Sequence, residues 1–245
     1  MTGIIDTIRE LEIEQEKELS QTLIIDGRTA FVKTAKSMAD LFLLCYEQNL
    51  ERITAPQLAK ARIGHDSDVA ELLWKYNFVT CSDLARVQSQ GKDYGVFTHV
   101  NVFGTEPNRI QAYARPIRTG GIELTEEEVE FILSKEDGKN VIVVPHQQIK
   151  ESPRGVISLR DVLQDKGHVI AIGALGNDRN LLEAYIQRYI QIMKKSPFTP
   201  LEIGVWFSED AGKNTMRPIE LGDSGVGIYN RNLTNRYYRT IAFKK

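Results

Sequence analysis

The sequence contains few of the features that commit a chain to one kind of chemistry or location. It has only two cysteines, Cys45 and Cys81, which lie in apolar contexts without the spacing of metal ligands. No apolar run is long enough to span a bilayer, and the acidic N-terminal stretch differs from the basic-plus-apolar pattern of a secretory signal. The sequence therefore predicts a cytoplasmic protein with buried free thiols and no membrane partner.

The sequence also has no large excess of positive or negative charge. The formal net charge is -2, so a polyanionic partner for the whole surface is not expected, and a charged partner would need a local patch. No internal repeat or low-complexity segment occurs. With 245 residues, 42% of them hydrophobic, the chain can form one large domain or two small ones with an ample core.

No catalytic signature stands out. The four histidines are scattered, and no Ser or Cys has a nucleophile elbow or a base nearby in the sequence. Asp137-Gly-Lys139 offers an acid-x-Lys triplet of the nuclease type, but it follows a predicted helix and is more typical of a turn. We therefore expect no catalytic residue, no metal and no cofactor, and the sequence favours a protein that is not an enzyme.

The N-terminal part begins with an amphipathic pattern over residues 3–19, with apolar positions at Ile4, Ile8 and Leu11 and dense glutamate elsewhere. This predicts a helix, which either packs as a solvated helix on the body or mediates docking or self-association. Asp26-Gly27 then predicts a tight hairpin between two apolar runs.

The next stretch predicts three helices and a hairpin. Helices are expected over 38–49, over 54–64 with a Thr54/Gln57 capping box, and over 66–76. Strands over 84–90 and 96–103 would pair across residues 91–95. Residues 37–104 resemble the winged helix-turn-helix family, and that resemblance implies a DNA-binding fold. The second helix of the motif carries acidic residues at 66, 68 and 71, which favour a structural or protein-binding use over DNA reading.

The C-terminal half predicts mixed elements. Helices are expected over 125–134, 159–164 and 178–195, and strands over 140–144, 168–173, 201–208, 216–221, 225–230 and 236–243, the last three as a meander. Gly173-x-x-Gly176 between a strand and the Asp178-capped helix could hold a phosphate, although an ordinary turn is the simpler interpretation. The glycines at 222, 225 and 227 are typical of a hairpin turn.

The C-terminal residues carry a basic and aromatic bias. From Ile228 onward there is no acidic residue, and the candidate nucleic-acid-binding residues are Arg231, Arg236, Arg239, Lys244 and Lys245 for phosphates, with Tyr229 and Tyr237 for stacking on bases. A weaker basic set is Arg109, Arg115 and Arg118. The alternative interpretation is a terminal edge strand whose basic side chains prevent aggregation.

These patterns together predict an α+β fold with a helical, winged-helix-like region over 1–118 and an α/β region over 119–245 that contains a largely antiparallel sheet and one long helix. The predicted function is a non-enzymatic, nucleic-acid-associated accessory or assembly protein, with DNA or RNA as partner. Two alternatives stay open. One is a structural or oligomeric protein that contacts a protein partner, or itself, through the N-terminal helix; the other is an enzyme acting on a small phosphorylated molecule.

Overall fold

The structure is a computed structural model that describes most of the chain. The described residues are 22–64, 68–100, 107–110, 121–153, 155–164, 168–193, 202–206, 214–222, 225–227 and 238–245. The predicted helix over 3–19 lies outside them. The described helices are α1 Met38–Glu47, α2 Ala55–Gly64, α3 Asp68–Lys75, α4 Pro107–Ile110, α5 Glu126–Leu133, α6 His146–Glu151, α7 Leu159–Val162, α8 Val169–Ala174 and α9 Arg179–Met193.

The described strands form two sheets. They are β1 Thr22–Ile25, β2 Arg28–Ala35, β3 Leu50–Arg52, β4 Phe78–Ser89, β5 Lys92–Thr98, β6 Ile122–Glu123, β7 Val141–Pro145, β8 Gly155–Ser158, β9 Glu202–Trp206, β10 Thr215–Leu221, β11 Gly225–Gly227 and β12 Tyr238–Lys244. The smaller sheet has the order β1-β2-β12-β3. The larger has the order β7-β5-β4-β10-β11-β9-β8, with β6 also pairing to β10. All described pairings are antiparallel except that of β11 with β9. The fold is therefore α+β, as predicted.

The smaller sheet is closed by the last strand of the chain. β12 lies between β2 and β3, with Ile241 opposite Val32 and Ala242 opposite Arg52. It is therefore an interior strand, so the prediction of a terminal edge strand protected by basic residues was wrong. The Thr240 hydroxyl donates to the Val79 carbonyl at 2.6 Å, which ties this sheet to β4 of the larger one.

The larger sheet is covered on both faces. Side chains of β4 alternate, so that Phe78 joins one core and Val79 joins the other. The Phe78 side belongs to the main core, which also contains the inner face of the smaller sheet and helices α2, α3 and α9. The Val79 side packs under α1 and α5. The centre of the molecule is therefore the region where β4 and β10 pair.

Several local predictions are confirmed. Asp26 and Gly27 both have positive φ and form a two-residue turn, with Ile25 opposite Arg28. The Thr54/Gln57 capping box is present, with Thr54 Oγ1 accepting from the Gln57 amide at 3.2 Å. The Thr125 box on α5 is present as well. Local side-chain-to-backbone hydrogen bonds are encoded within a few residues, so the sequence pattern suffices to predict them.

The hairpin of β4 and β5 turns earlier than predicted. Ser89 is opposite Lys92, so the turn consists of Gln90 and Gly91, both with positive φ, and residues 92–95 belong to the strand. Gln-Gly lacks the usual Asn-Gly or Asp-Gly signal, and the tight turn was therefore missed. The structure also places the short helix α4 at 107–110, where no helix was predicted.

The winged-helix prediction was wrong, although most of its elements exist. α1 lies on the outer face of the smaller sheet, where Cys45 packs with Phe31, Leu50 and Ala242. The strand β4, predicted as a wing, is flanked on both sides by β5 and β10 in the middle of the larger sheet. α2 packs against α3 and against α9, more than a hundred residues later in the chain. These contacts join segments that are far apart in the chain, so a local sequence pattern cannot predict them.

Both sheets combine strands from before and after residue 118, since β12 pairs with β2 and β3 and β10 pairs with β4. The predicted boundary therefore does not separate one sheet from the other. Whether 1–118 and 119–245 behave as separate folding units stays a prediction.

Candidate functional site: the base of the C-terminal segment

The end of β10 and the start of β12 both lie near one residue, Tyr76, and β11 between them pairs antiparallel with β10, with Gly227 opposite Glu220. β10 ends at Leu221, which is paired with Phe78 at the start of β4. β12 begins at Tyr238, and the guanidinium carbon of Arg239 lies 4.7 Å from the centroid of the Tyr76 ring. The two ends of residues 222–237 are therefore held at the same corner of the fold.

Arg62, on α2, fixes the outgoing end. Its side chain is fully buried. The guanidinium donates to the carbonyl oxygens of Leu73 (2.9 Å), Tyr76 (2.9 Å), Leu221 (3.1 Å) and Gly222 (2.7 Å) and to the Tyr185 hydroxyl (2.6 Å). An arginine has five N–H donors, and all five are used here. The side chain thus joins α2, α3, α9 and the end of β10 at one point.

The surroundings of Arg62 explain how a buried cation is tolerated. Its five acceptors are neutral, so the charge is solvated by aligned dipoles instead of a carboxylate. The guanidinium carbon also lies 4.9 Å from the centroid of the Trp74 ring, and the Trp74 indole N–H donates to the Arg62 carbonyl at 3.0 Å. Trp74 in turn stacks on Tyr185 with ring centroids 4.8 Å apart.

We call Arg62, Tyr76, Leu221, Gly222 and Arg239 the segment base. Tyr76 links its two arginines, because its carbonyl accepts from Arg62 while its ring contacts Arg239. The base carries no group arranged for acid-base or nucleophilic chemistry. Its geometry holds the end of β10 and the start of β12 in place, and binding residues are commonly carried on rigid scaffolds of this kind.

Ser82 and His99 form a second buried polar group, which was not predicted from the sequence. The Ser82 hydroxyl oxygen accepts from the Ala55 amide at 2.9 Å and lies 2.9 Å from Nδ1 of His99, while Nε2 of His99 lies 2.9 Å from the Gly173 carbonyl. The carbonyl requires a proton on Nε2, so Nδ1 accepts from the hydroxyl. Burial lowers the pKa of His99 to about 4. Ser82 is fully buried, and this pair therefore joins β4, α2 and α8 and is not a nucleophile with its base.

The predicted nucleic-acid-binding residues do not assemble into one described surface. Tyr229, Arg231, Arg236 and Tyr237 lie outside the described residues. Arg239 contacts Tyr76 in the segment base. Lys244 is five residues further along β12, about 16 Å at the usual rise per residue, and on the opposite face of the strand. Lys245 is exposed at the end of the chain. In the weaker basic set, Arg109 forms an ion pair with Glu128, and residues 115 and 118 are outside the described part.

The strand predicted before the candidate phosphate loop was also wrong. The predicted strand over 168–173 is replaced by α8 at Val169–Ala174, which His168 caps through its Nδ1 atom. A Cβ at Gly173 would lie 2.5 Å from the Phe97 ring, so this glycine allows the ring to pack closely against α8. Asp178 caps α9 as predicted, accepting from the Leu181 amide at 3.0 Å.

The Asp137-Gly-Lys139 triplet forms a turn, as predicted. Asp137 Oδ1 accepts from the amides of Lys139, Asn140 and Val141. These bonds hold the pKa of the Asp137 carboxyl well below its usual range. Both cysteines are buried and unpaired, as predicted, and burial raises the pKa of Cys81 to about 12. In the described ranges, no three His, Cys, Asp or Glu side chains cluster as metal ligands would, and no helix is long and apolar enough to cross a membrane.

Comparison with known proteins gives a structural match. No family model matches the chain, and no curated protein matches it. One solved structure, described as "Accommodation of massive sequence variation in Nanoarchaeota by the C-type lectin fold", is similar with a TM-score of 0.73 at 22% identity, covering 89% of this chain and 98% of that chain. The fold is that of the C-type lectins.

The C-type lectin fold overturns the predicted nucleic-acid-associated function, together with the winged-helix and DNA-binding assignments that supported it. The sequence bias at the C-terminus was real, but Arg239 packs on an aromatic ring and β12 is an interior strand. Basic and aromatic residues alternate both in a nucleic-acid-binding segment and in an interior strand such as β12. Only the strands that pair with it distinguish the two cases.

Proposed function

We propose that this protein is a non-enzymatic recognition protein that binds a protein partner through residues 228–237, the part of the chain between β11 and β12. The observation that carries the proposal is the segment base, where fully buried Arg62 holds Leu221 and Gly222 and where Arg239 returns to Tyr76. Fixed ends reduce the conformational entropy that a long surface segment would lose on binding.

The composition of the segment suits protein recognition. It contains Tyr229, Tyr237, Arg231 and Arg236, together with three asparagines at 230, 232 and 235. Tyr and Arg are enriched among the residues that contribute most to binding at protein interfaces, and Tyr, Asn, Ser and Gly dominate antibody binding loops. We assign Tyr229, Arg231, Arg236 and Tyr237 as the partner-contacting residues, and the segment base as their support.

The similar solved structure is described as accommodating massive sequence variation by the C-type lectin fold. We extend that property to this chain: the side chains of residues 228–237 are exchangeable, because the stability of the fold rests on the segment base and the two cores. The partner would then be determined by the segment sequence, and the scaffold would serve many such sequences.

The first test is the stability of a quadruple variant with Tyr229, Arg231, Arg236 and Tyr237 all changed to Ala. We expect its melting temperature to stay within about 4 °C of the wild type, because side chains outside the core usually change the stability by less than about 0.5 kcal/mol each, in either direction, so that the four together should amount to about 1 kcal/mol. A loss as large as that of an Arg62→Met variant would show that these side chains belong to the core, and the proposal would fail.

The second test identifies the partner by photo-cross-linking in the source cells. A photoreactive amino acid at position 229 should capture a discrete protein, whereas the same group at Glu127, exposed on α5, should not. Adding Arg231→Ala and Arg236→Ala to the position-229 probe should abolish the capture. Equal capture from positions 229 and 127, or capture that survives the arginine changes, would contradict binding through this segment.

A further inference from the structure

The described residues cover only about half of the outer face of the smaller sheet. Side chains at Thr22, Ile24, Thr29, Phe31, Lys33 and Lys244 share this face, as the registers of β1, β2 and β12 require. α1 covers the β3 and β12 side, where Cys45 packs with Leu50 and Ala242 and with one side of the partly buried Phe31. On the β1 and β2 side Ile24 is 55% exposed. We call Ile24, Phe31, Lys33 and Lys244 the open face.

The open face combines apolar surface with positive charge. The Lys33 ammonium lies 5.6 Å, and that of Lys244 5.9 Å, from the centroid of the Phe31 ring. No carboxylate of the described residues pairs with either ammonium. The remaining charged residue on this face of the four strands is Arg52, which is buried under Phe42 of α1. All charged strand side chains on this face are therefore basic.

The chain itself contains a segment with the complementary chemistry. Residues 3–19 have six acidic and two basic residues, and they repeat apolar side chains at Ile4, Ile8 and Leu11. Only two residues separate this segment from Thr22, the first residue of β1, which borders the open face. A tether this short gives the segment a high effective concentration at that face.

We propose that residues 3–19 dock as an amphipathic helix on the open face of their own chain. Ile4, Ile8 and Leu11 cover Ile24 and Phe31, and the glutamates of the segment pair with Lys33 and Lys244. This surface is separate from the segment between β10 and β12, and the inference does not depend on the proposed function.

The test compares hydrogen exchange of the full chain with that of a Lys33→Glu/Lys244→Glu variant. In the wild type we expect the amides of residues 4–13 to exchange at least about tenfold more slowly than in the free peptide of residues 1–21, and this protection to be lost in the variant. The matched control is Lys60→Glu/Lys150→Glu, two exposed lysines on α2 and α6, which should keep the protection. Changing Glu10, Glu14 and Glu18 to Lys in the Lys33→Glu/Lys244→Glu variant should restore it.

Zero-length carboxylate-to-amine cross-linking identifies the occupant. We expect links from Lys33 or Lys244 to glutamates of residues 10–18 within a monomeric species. The same links confined to a dimer would show that a second copy occupies the face and would overturn docking on the same chain. Wild-type amides that exchange as fast as in the free peptide would overturn the proposal altogether. Unchanged melting temperatures would show that the variants are folded.

Discussion

Replacement of Arg62 by Met tests whether one buried side chain holds the segment base. Methionine keeps much of the volume but removes five donors, which leaves the acceptors of Leu73, Tyr76, Leu221, Gly222 and Tyr185 without their hydrogen bonds from this group. At about 1–3 kcal/mol for each unsatisfied group, the sum would exceed 5 kcal/mol.

The net loss should be smaller, because removing the guanidinium also removes the cost of burying a charge, which is several kcal/mol. The loss of stability is reduced further where a carbonyl oxygen keeps a second hydrogen-bond partner, or where water enters the site and donates to it. We therefore expect a loss of about 3–5 kcal/mol in the free energy of unfolding, less than the full sum for five unsatisfied acceptors. For a chain of this size this corresponds to a melting temperature lower by about 6–20 °C.

Urea unfolding followed by circular dichroism measures the loss, with Arg160→Met as the control. Arg160 is exposed on α7, and its substitution should change the free energy of unfolding by less than about 0.5 kcal/mol. Hydrogen exchange of the Arg62→Met variant should also increase most at Leu221 and Gly222. A loss below about 1 kcal/mol, or increased exchange elsewhere but not at these two residues, would refute the reasoning that Arg62 anchors the segment.

Three further outcomes follow from the structure. The free energy of unfolding should decrease by about 3 kcal/mol as the pH falls from about 6.5 to about 4, because the pKa of His99 is lowered in the folded state and the unfolded chain therefore binds the proton first. The His99→Gln variant should lose less stability over this pH range. A pH dependence that is the same in the variant and the wild type would contradict the assignment to His99. Gly173→Ala should lower the free energy of unfolding in urea by about 1–3 kcal/mol, since the new Cβ would lie 2.5 Å from the Phe97 ring. Gly64→Ala, with no atom within 4 Å of the new Cβ, should leave the stability unchanged or raise it slightly. Equal effects of the two substitutions would exclude close packing as the cause. Gln90→Asn should stabilise the β4–β5 turn by a few tenths of a kcal/mol, because Asn tolerates positive φ better than Gln, and a lower melting temperature would contradict the turn geometry.

The candidate site could be predicted only in part. The sequence showed that the C-terminal residues combine arginine and tyrosine, and it located the helix on which Arg62 lies. It gave no reason to single out Arg62, because an arginine in a helix of mixed character is usually solvated. Its five partners come from α3, α9 and the end of β10, separated from it by 11 to 160 residues, and no periodicity relates them.

By itself the sequence determined the features whose interactions are made between residues only a few positions apart. These are the turn at Asp26-Gly27, the capping boxes of Thr54 and Thr125, and the Asp178 cap of α9. Each depends on backbone dihedral preferences or on a hydrogen bond from a side chain to a nearby amide, so the local residue types suffice.

Tertiary structure decided how those elements are joined. The segment at 169–174 is apolar enough for a strand, but its packing under Phe97 and its cap at His168 make it a helix. β12 could equally have continued a meander, but pairing with β2 and β3 buries Ile241 and Phe243 in the main core and places Arg239 on Tyr76. The gain from burying apolar surface is not directional, so it selects among alternatives only when the whole chain is present.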